Sequence, residues 1–422
     1  MRLGWLFVFA LAAHSQNSRD PGVVLAHARE HILERMERLP NYTCVETVDR
    51  SYLQPVTAGA TASCEELVLV KNARKLRVTA TDRLRLDVRI AGGNEVVAWA
   101  GGNGPGDRAM AEVFESGPFG TGPFAGLLGG IFADNAANLH YAGQVDGLFE
   151  YEFDVPQEAS HYMTRVSNGW RATHYKGTLL IDPESFDLKR VVVTQPELPA
   201  DAAACETTNA VDYQKILLGN REFLVPRHSA LRFVNRDGTE ALTASEYVSC
   251  HEYHAESTIH YEDEPANPVA KKPVQSGRAV PEGLAFSLSL ENSIDTGTAA
   301  AGDVVTAKVR SPVHAPESKE ILYPAGAIVR GRVTRMLHWE DPAIFGISIV
   351  FETLEVNGVV SPFHGQPDRK DTQQNLERAA WAGLNASNGR GAIAGMYFFP
   401  TSKPRHVVPR GFTMNWVTVS TP

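Results

Sequence analysis

The sequence predicts a mainly β protein of the β-rich α+β kind, with an N-terminal helix on a curved antiparallel half-barrel and a smaller C-terminal β-barrel after it. Three observations predict it. Apolar residues keep helical spacing over a long stretch only between Pro21 and Leu39. Elsewhere they alternate at period two, as in Leu284, Phe286, Leu288 and Leu290. Short turn signals punctuate the alternating runs at Ser167-Asn168-Gly169, Asp182-Pro183, Gly219-Asn220, Asp237-Gly238 and Asn357-Gly358. Reversal there needs a positive φ or a preset proline, and closely spaced reversals make sequence neighbours antiparallel.

The chain opens with Arg2 and an uncharged apolar run from Leu3 to Ala13, the length of a signal-peptide h-region and about half of a bilayer span. Ala13-His14-Ser15 offers small residues to a signal peptidase, so residues 1–15 are expected to be a signal peptide cleaved after Ser15. An uncleaved anchor is the competing expectation. No cysteine follows the cut to carry a lipid, and no later segment approaches the roughly 20 apolar residues of a span. The mature protein is thus expected to be periplasmic or extracellular, without a transmembrane segment.

With 422 residues, 43% of them hydrophobic, the chain can bury substantial cores, and its length suggests two or three domains. Its 40 basic and 49 acidic residues leave a net charge of -9, against the basic field that a nucleic-acid binder needs. In Pro21 to Leu39, Val24, Leu25, Ala28, Ile32, Met36 and Leu39 form one stripe and Arg29, Glu30, Glu34 and Arg38 the other, before Pro40 stops the helix. Behind an export signal, Cys44, Cys64, Cys205 and Cys250 are expected in disulfides. Nearest-neighbour pairing, Cys44 with Cys64 and Cys205 with Cys250, suits hairpin-connected strands. From Glu66 onward Leu67, Leu69, Leu76, Val78, Leu84, Leu86, Val88 and Ile90 are spaced as strands.

Gly117 to Phe132 interleaves glycine with large apolar side chains. Neither G-x-G-x-x-G nor G-x-x-x-x-G-K-[ST] occurs, so a phosphate cradle is not expected. The passage is expected to plug the open mouth of the half-barrel with a short helix, or to act as a lid whose Phe119, Phe124, Leu127, Leu128, Ile131 and Phe132 face a lipid chain. Cys250-His251-Glu252-Tyr253-His254, with Glu256 and His260, is one residue short of H-E-x-x-H and alternates like a strand. Cys250, Glu252, His254, Glu256 and His260 would share a face. A polar edge-strand face explains the same residues, so no metal site is assigned. No G-x-S-x-G occurs either. The expectation is a non-enzymatic protein without cofactor.

Residues 264–282, with Pro265, Pro268, Lys271-Lys272-Pro273 and Ser276-Gly277, are expected to be a semi-extended linker between a domain at 21–263 and another at 283–422. In the second, Ala301-Gly302-Asp303 precedes a strand with Val305, Ala307 and Val309 on one face. Leu322-Tyr323-Pro324-Ala325-Gly326-Ala327 then precedes Val329-Arg330-Gly331-Arg332-Val333. A break at Gly365-Gln366-Pro367-Asp368, a short helix from Asn375 to Leu384, and a closing strand with Phe412, Met414 and Trp416 follow.

The order from Leu284 to Val356 resembles the outer barrel of the TrbI-like scaffold proteins of bacterial type IV secretion. The helix-then-sheet order of Pro21 to Asp263 resembles, at fold level, the half-barrel of LolA-type lipoprotein carriers and their sensor relatives. The first resemblance implies a non-catalytic envelope scaffold that docks an envelope protein. The second implies a carrier or sensor for a lipid or other hydrophobic small molecule. A metal-dependent hydrolase is the remaining, least supported expectation.

Signal cleavage after Ser15 is tested by intact-mass measurement of the exported protein, which should begin at Gln16. A mass that includes Met1 would retire it.

Overall fold

The computed structural model describes residues 20–56, 62–92, 94–101, 119–120, 126–133, 136–253, 275–316, 318–382, 384, 395–401 and 403–420. The expected signal segment, Phe124, His254, Glu256, His260 and residues 264–274 lie outside the described residues. Of the described residues, strands make up 55% and helices 14%, and most strands join one large antiparallel sheet that stays open rather than closing into a barrel.

Helix α1 (Pro21–Glu37) begins where Asp20 accepts hydrogen bonds from the backbone of Gly22 and Val23, with proline in the first turn. It buries Val24, Ala28 and Ile32 from the expected stripe. β1 (Tyr42–Pro55), α2 (Cys64–Val70), β2 (Leu76–Ala91), β3 (Asn94–Trp99) and α3 (Gly126–Phe132) follow. Then come β4 (Asn138–Val145), β5 (Leu148–Val155), the small hairpin β6 (Met163–Val166) and β7 (Gly169–Ala172), and β8 (Tyr175–Ile181). β9 (Leu188–Gln195), β10 (Ala204–Leu218), β11 (Arg221–Asn235) and β12 (Glu240–Glu252) complete this half. The spatial order is β3-β2-β1-β12-β11-β10-β9-β8-β5-β4, all antiparallel.

Two expectations for this half are corrected. Leu67 and Leu69 belong to a helix, because Ser63 and Glu66 form a capping box that sets α2 off before the strand begins at Leu76. The disulfides join Cys44 to Cys250 and Cys64 to Cys205, not nearest neighbours. The sheet explains why. β1 pairs with β12, so Cys44 lies beside the far end of the domain, while α2 leaves the sheet and lands on β10. Crosslinks closing chain separations of 206 and 141 residues restrict the unfolded state by about 5 kcal/mol each in the chain-entropy account.

The second half contains β13 (Gln275–Ser276), β14 (Ala285–Leu290), β15 (Ile294–Asp295), β16 (Val304–Val309), β17 (Val313–His314) and β18 (Ile321–Tyr323). After them come β19 (Ile328–Glu340), β20 (Ala343–Val356), β21 (Val359–Pro362), β22 (Gly365–Pro367) and α4 (Arg369–Trp381). β23 (Met396–Pro400), β24 (Val407–Val408) and β25 (Thr413–Thr418) end it. Its core unites Phe286, Leu288, Val305, Val309, Met414 and Trp416, the residues whose alternation marked the strands. Gly365–Pro367, expected as a break, is a strand on β25. α4 starts at Arg369 because Asp368 caps it, and it buries Asp371 and Asn375 as well as Ala379, so its inner face carries little apolar signal. Gln275 and Ser276 already pair with β21, and Val280 is buried in the second core, so attachment to this half begins within the stretch expected to be linker.

The two halves share the sheet through the outer edge of β2. Ala80, Thr81 and Asp82 pair with Trp339, His338 and Leu337 of β19. Arg83 and Arg85 then exchange backbone hydrogen bonds with Ala301, and Leu86 to Ala91 pair with β3. Beneath the seam Tyr52, Ala80, Ala241, Leu337, Trp339, Ile344, Ala379, Met396 and Phe398 form a core drawn from both halves. Gly302 has φ +107, and a Cβ there would lie 2.2 Å from the carbonyl oxygen of Arg85. Gly302→Ala should therefore cost about 2 kcal/mol or more in urea unfolding. Gly283→Ala, at φ +80 with open space around it, should cost only about 1 kcal/mol. Equal effects would show that the seam does not need this close approach.

Candidate functional site

Alternation along β1, β2, β9, β10, β11 and β12 turns one set of side chains toward the face that α1 and α3 cover. Across that face one register row runs Val193, Asn209, Leu231, Thr243, Arg50, Asp82, with neighbouring strands about 4.8 Å apart. The row on one side is Gln195, Thr207, Phe233, Ala241, Tyr52, Ala80. The row on the other is Val191, Val211, Ser229, Ser245, Val48, Leu84.

The face divides chemically. On the side of β5, β8, β9 and β10, Phe149, Phe153, Leu179, Val191, Val193 and Val211 pack against Val24, Ala28 and Ile32 of α1 and against α3. Of the sequence-predicted ligand residues, Leu127, Leu128, Ile131 and Phe132 are all on α3 and all buried in this cluster. Phe119 is elsewhere, half-buried against Val48, Leu84, Leu86 and Trp99. The passage thus brings four of its six large side chains together and sends Phe119 to a different core. Gly120 lies on the Leu231 side chain, and Gly130 leaves only 2.9 Å between a notional Cβ and the Tyr175 hydroxyl.

On the side of β1, β2 and β12 the face is polar. Arg50 is buried and grips Asp82 with two bonds of 2.6 Å, and the Tyr52 hydroxyl donates to the same carboxylate at 3.2 Å. Glu46 is 2% exposed and sits opposite Tyr247 in the ladder. Burial pushes its carboxyl up to about 7, against the pull of hydrogen bonds from Ser245 and Tyr247.

A polar strip edges the apolar half. The Gln195 side-chain amide donates to Thr164 at 2.7 Å and to Thr173, and accepts from Thr207. Next to it, Asn209 shares a hydrogen bond with the Tyr162 hydroxyl, while the buried Asn209 Oδ1 has no hydrogen-bond partner.

The β8–β9 turn clasps α1. Phe186, at φ +58, sets its ring 4.9 Å from that of His27 and 5.9 Å from that of His31. The adjacent buried Asp187 pairs with Arg35 at 3.0 Å and Lys215 at 2.7 Å. Burial raises its carboxyl, but hydrogen bonds from Lys215, Ser185 and Arg35 win and hold it below the usual aspartate range.

Glu46, Arg50, Asp82, Gln195 and Asn209 escaped sequence reading. In β1 the signal is that Glu46 and Arg50 share parity with Tyr42, Cys44, Val48 and Tyr52, all buried. Of the histidine-rich cluster, Glu252 ends β12, and among the described residues no group of three or more possible ligands gathers to hold a metal. No helix among the described residues is long and apolar enough to cross a membrane.

No family model matches the chain, and no curated protein matches it. Among solved structures, a LolA superfamily protein from Nitrosomonas europaea is similar at 10% identity and TM-score 0.24, over 54% of this chain and 94% of that one. A DUF1329 family protein from Desulfovibrio piger is similar at 8% identity and TM-score 0.25, over 55% of this chain and 95% of that one.

The raised Glu46 and lowered Asp187 act on opposite limbs of pH. A carboxyl whose folded value is raised adds stability that is complete below its unfolded value of 4.5 and lost as pH rises through about 7, on the order of 3 kcal/mol. Asp187 adds stability present above its ordinary 3.8 and lost as pH falls below it. Glu46→Gln should flatten the decline in melting temperature between pH 5 and 8 and leave the acid limb intact. An unchanged alkaline limb would show that Glu46 does not titrate there.

Proposed function

We propose that the protein is an exported, non-catalytic envelope protein that carries or senses a hydrophobic ligand on the helix-covered face of its half-barrel. The observation that supports this is α3. Its sequence, Gly-Leu-Leu-Gly-Gly-Ile-Phe, puts four apolar side chains into the core on a helix of seven residues with glycines at 126, 129 and 130. Each interior glycine weakens helix by about 1 kcal/mol relative to alanine, and seven residues cannot hold a helix in water alone. Tertiary packing alone sustains α3, so an apolar chain that offers the same contacts competes with it. α1 is different: it is long, capped and clasped by Phe186 and Asp187. α3 is then the displaceable element and α1 the fixed wall.

The two long-range disulfides fit an oxidising compartment, which supports export. A second role, docking a protein partner by strand addition, is favoured by β4, which among the described residues pairs only with β5 and is mostly exposed. The TrbI-like resemblance of the second half points the same way, and in this role that half is a scaffold joined rigidly to the carrier.

Gly129→Ala tests the carrier function, because a Cβ there meets only Met36 Cε at 3.6 Å. It should stabilise α3 by about 1 kcal/mol, raise the melting temperature and weaken a neutral naphthylamine probe about fivefold. Leu128→Ala should lower the melting temperature and tighten the probe. If both variants move stability in these directions while probe affinity stays constant, α3 is core and not a plug.

A further inference from the structure

We infer that the ligand of this face is an acyl chain with an uncharged, hydroxyl-bearing head, and that Asn209 receives that head. The inference rests on the carrier function and names its ligand class. α3 leads to the place. Gly130 abuts the Tyr175 hydroxyl, the Tyr175 and Tyr162 rings are 5.3 Å apart, and the Tyr162 hydroxyl is hydrogen-bonded to the Asn209 amide. Asn209 stands where the apolar positions Val193 and Val211 give way to the polar positions Gln195 and Thr207. A chain lying in place of Leu127, Leu128, Ile131 and Phe132 ends its apolar part at this boundary.

The Asn209 amide carries an unmet hydrogen bond. Its residue is 7% exposed, and its Oδ1 is buried without a partner, whereas the neighbouring Gln195, Thr164, Thr173 and Thr207 satisfy one another. A buried polar atom left unpaired costs free energy, so a group that pairs with it gains more here than it would in water.

The chemistry of the head follows from what the face offers. A hydroxyl both donates and accepts and so matches an amide next to a phenol. A carboxylate only accepts and meets Oδ1 with repulsion. Nor, among the described residues, does the face offer it a free counter-charge: the Arg50 guanidinium is engaged by Asp82, and the Arg35 guanidinium by Asp187. An anionic head would therefore be buried without a counter-ion. A monoacylglycerol carries the right combination.

Displacement of the naphthylamine probe from the full chain by 1-monooleoylglycerol, methyl oleate and oleate at pH 8 tests this. Monooleoylglycerol should bind at least tenfold more tightly than either of the others. Asn209→Leu should remove that preference, bringing monooleoylglycerol to the affinity of methyl oleate. The comparison of lipids on the unaltered protein stands even if this variant folds poorly. Equal binding of the three lipids, or tighter binding of oleate, overturns the head-group assignment and leaves an apolar-chain site. Failure of all three and of the probe to bind overturns the carrier function as well.

Discussion

The outer edge of β2 is the constraint on which the structure depends. A strand of 16 residues has two rows of backbone donors and acceptors to satisfy, and β1 satisfies only one of them. From Ala80 to Ala91 the other is divided among three segments: β19 over Ala80 to Asp82, Ala301 over Arg83 to Arg85, and β3 over Leu86 to Ala91. Because two of the three belong to the second half, that half is attached by sheet hydrogen bonds rather than only by the connecting chain. Arg85 reinforces the junction with a side-chain bond to Asp303.

The same edge explains a buried ion pair. Asp82 pairs with Leu337 across the seam and faces Arg50 on the covered side, and burial there removes the water that would otherwise solvate both charges. Two short bonds from the guanidinium and a third from Tyr52 compensate. Such a pair adds little net stability, yet losing one partner is expensive because the other charge is stranded. It ties the register of β1 against β2 at the point where the second half joins, and it keeps that side of the face polar.

Stability is therefore unevenly distributed around the candidate site. Its walls are long strands, two disulfides and a capped helix clasped by a strained turn. Its cover includes a seven-residue helix with glycine at nearly half its positions. A rigid frame around one weak element suits the proposed exchange with a ligand, since displacing α3 uncovers its part of the face while α1 stays in place.

Local patterning determined much of this protein. The period-two alternation through Phe286, Leu288 and Leu290 and through Met414 and Trp416 marked strands that are strands, and the five turn signals lie at chain reversals. The α1 stripe and its stop were equally legible, as was the clustering of Leu127, Leu128, Ile131 and Phe132. These features depend on backbone sterics and side-chain spacing over a few residues, which the sequence contains in full. Disulfide pairing, the seam on β2 and the row from Val193 to Asp82 were decided only by the tertiary structure, because each joins residues tens to hundreds of positions apart. Polar residues on the covered face are the clearest case. Glu46, Arg50 and Asn209 look in sequence like solvent-facing positions, and only the assembled sheet places them with Tyr42, Val48 and Val211 on the buried side, where a missing hydrogen bond or an unshared charge acquires its energetic weight.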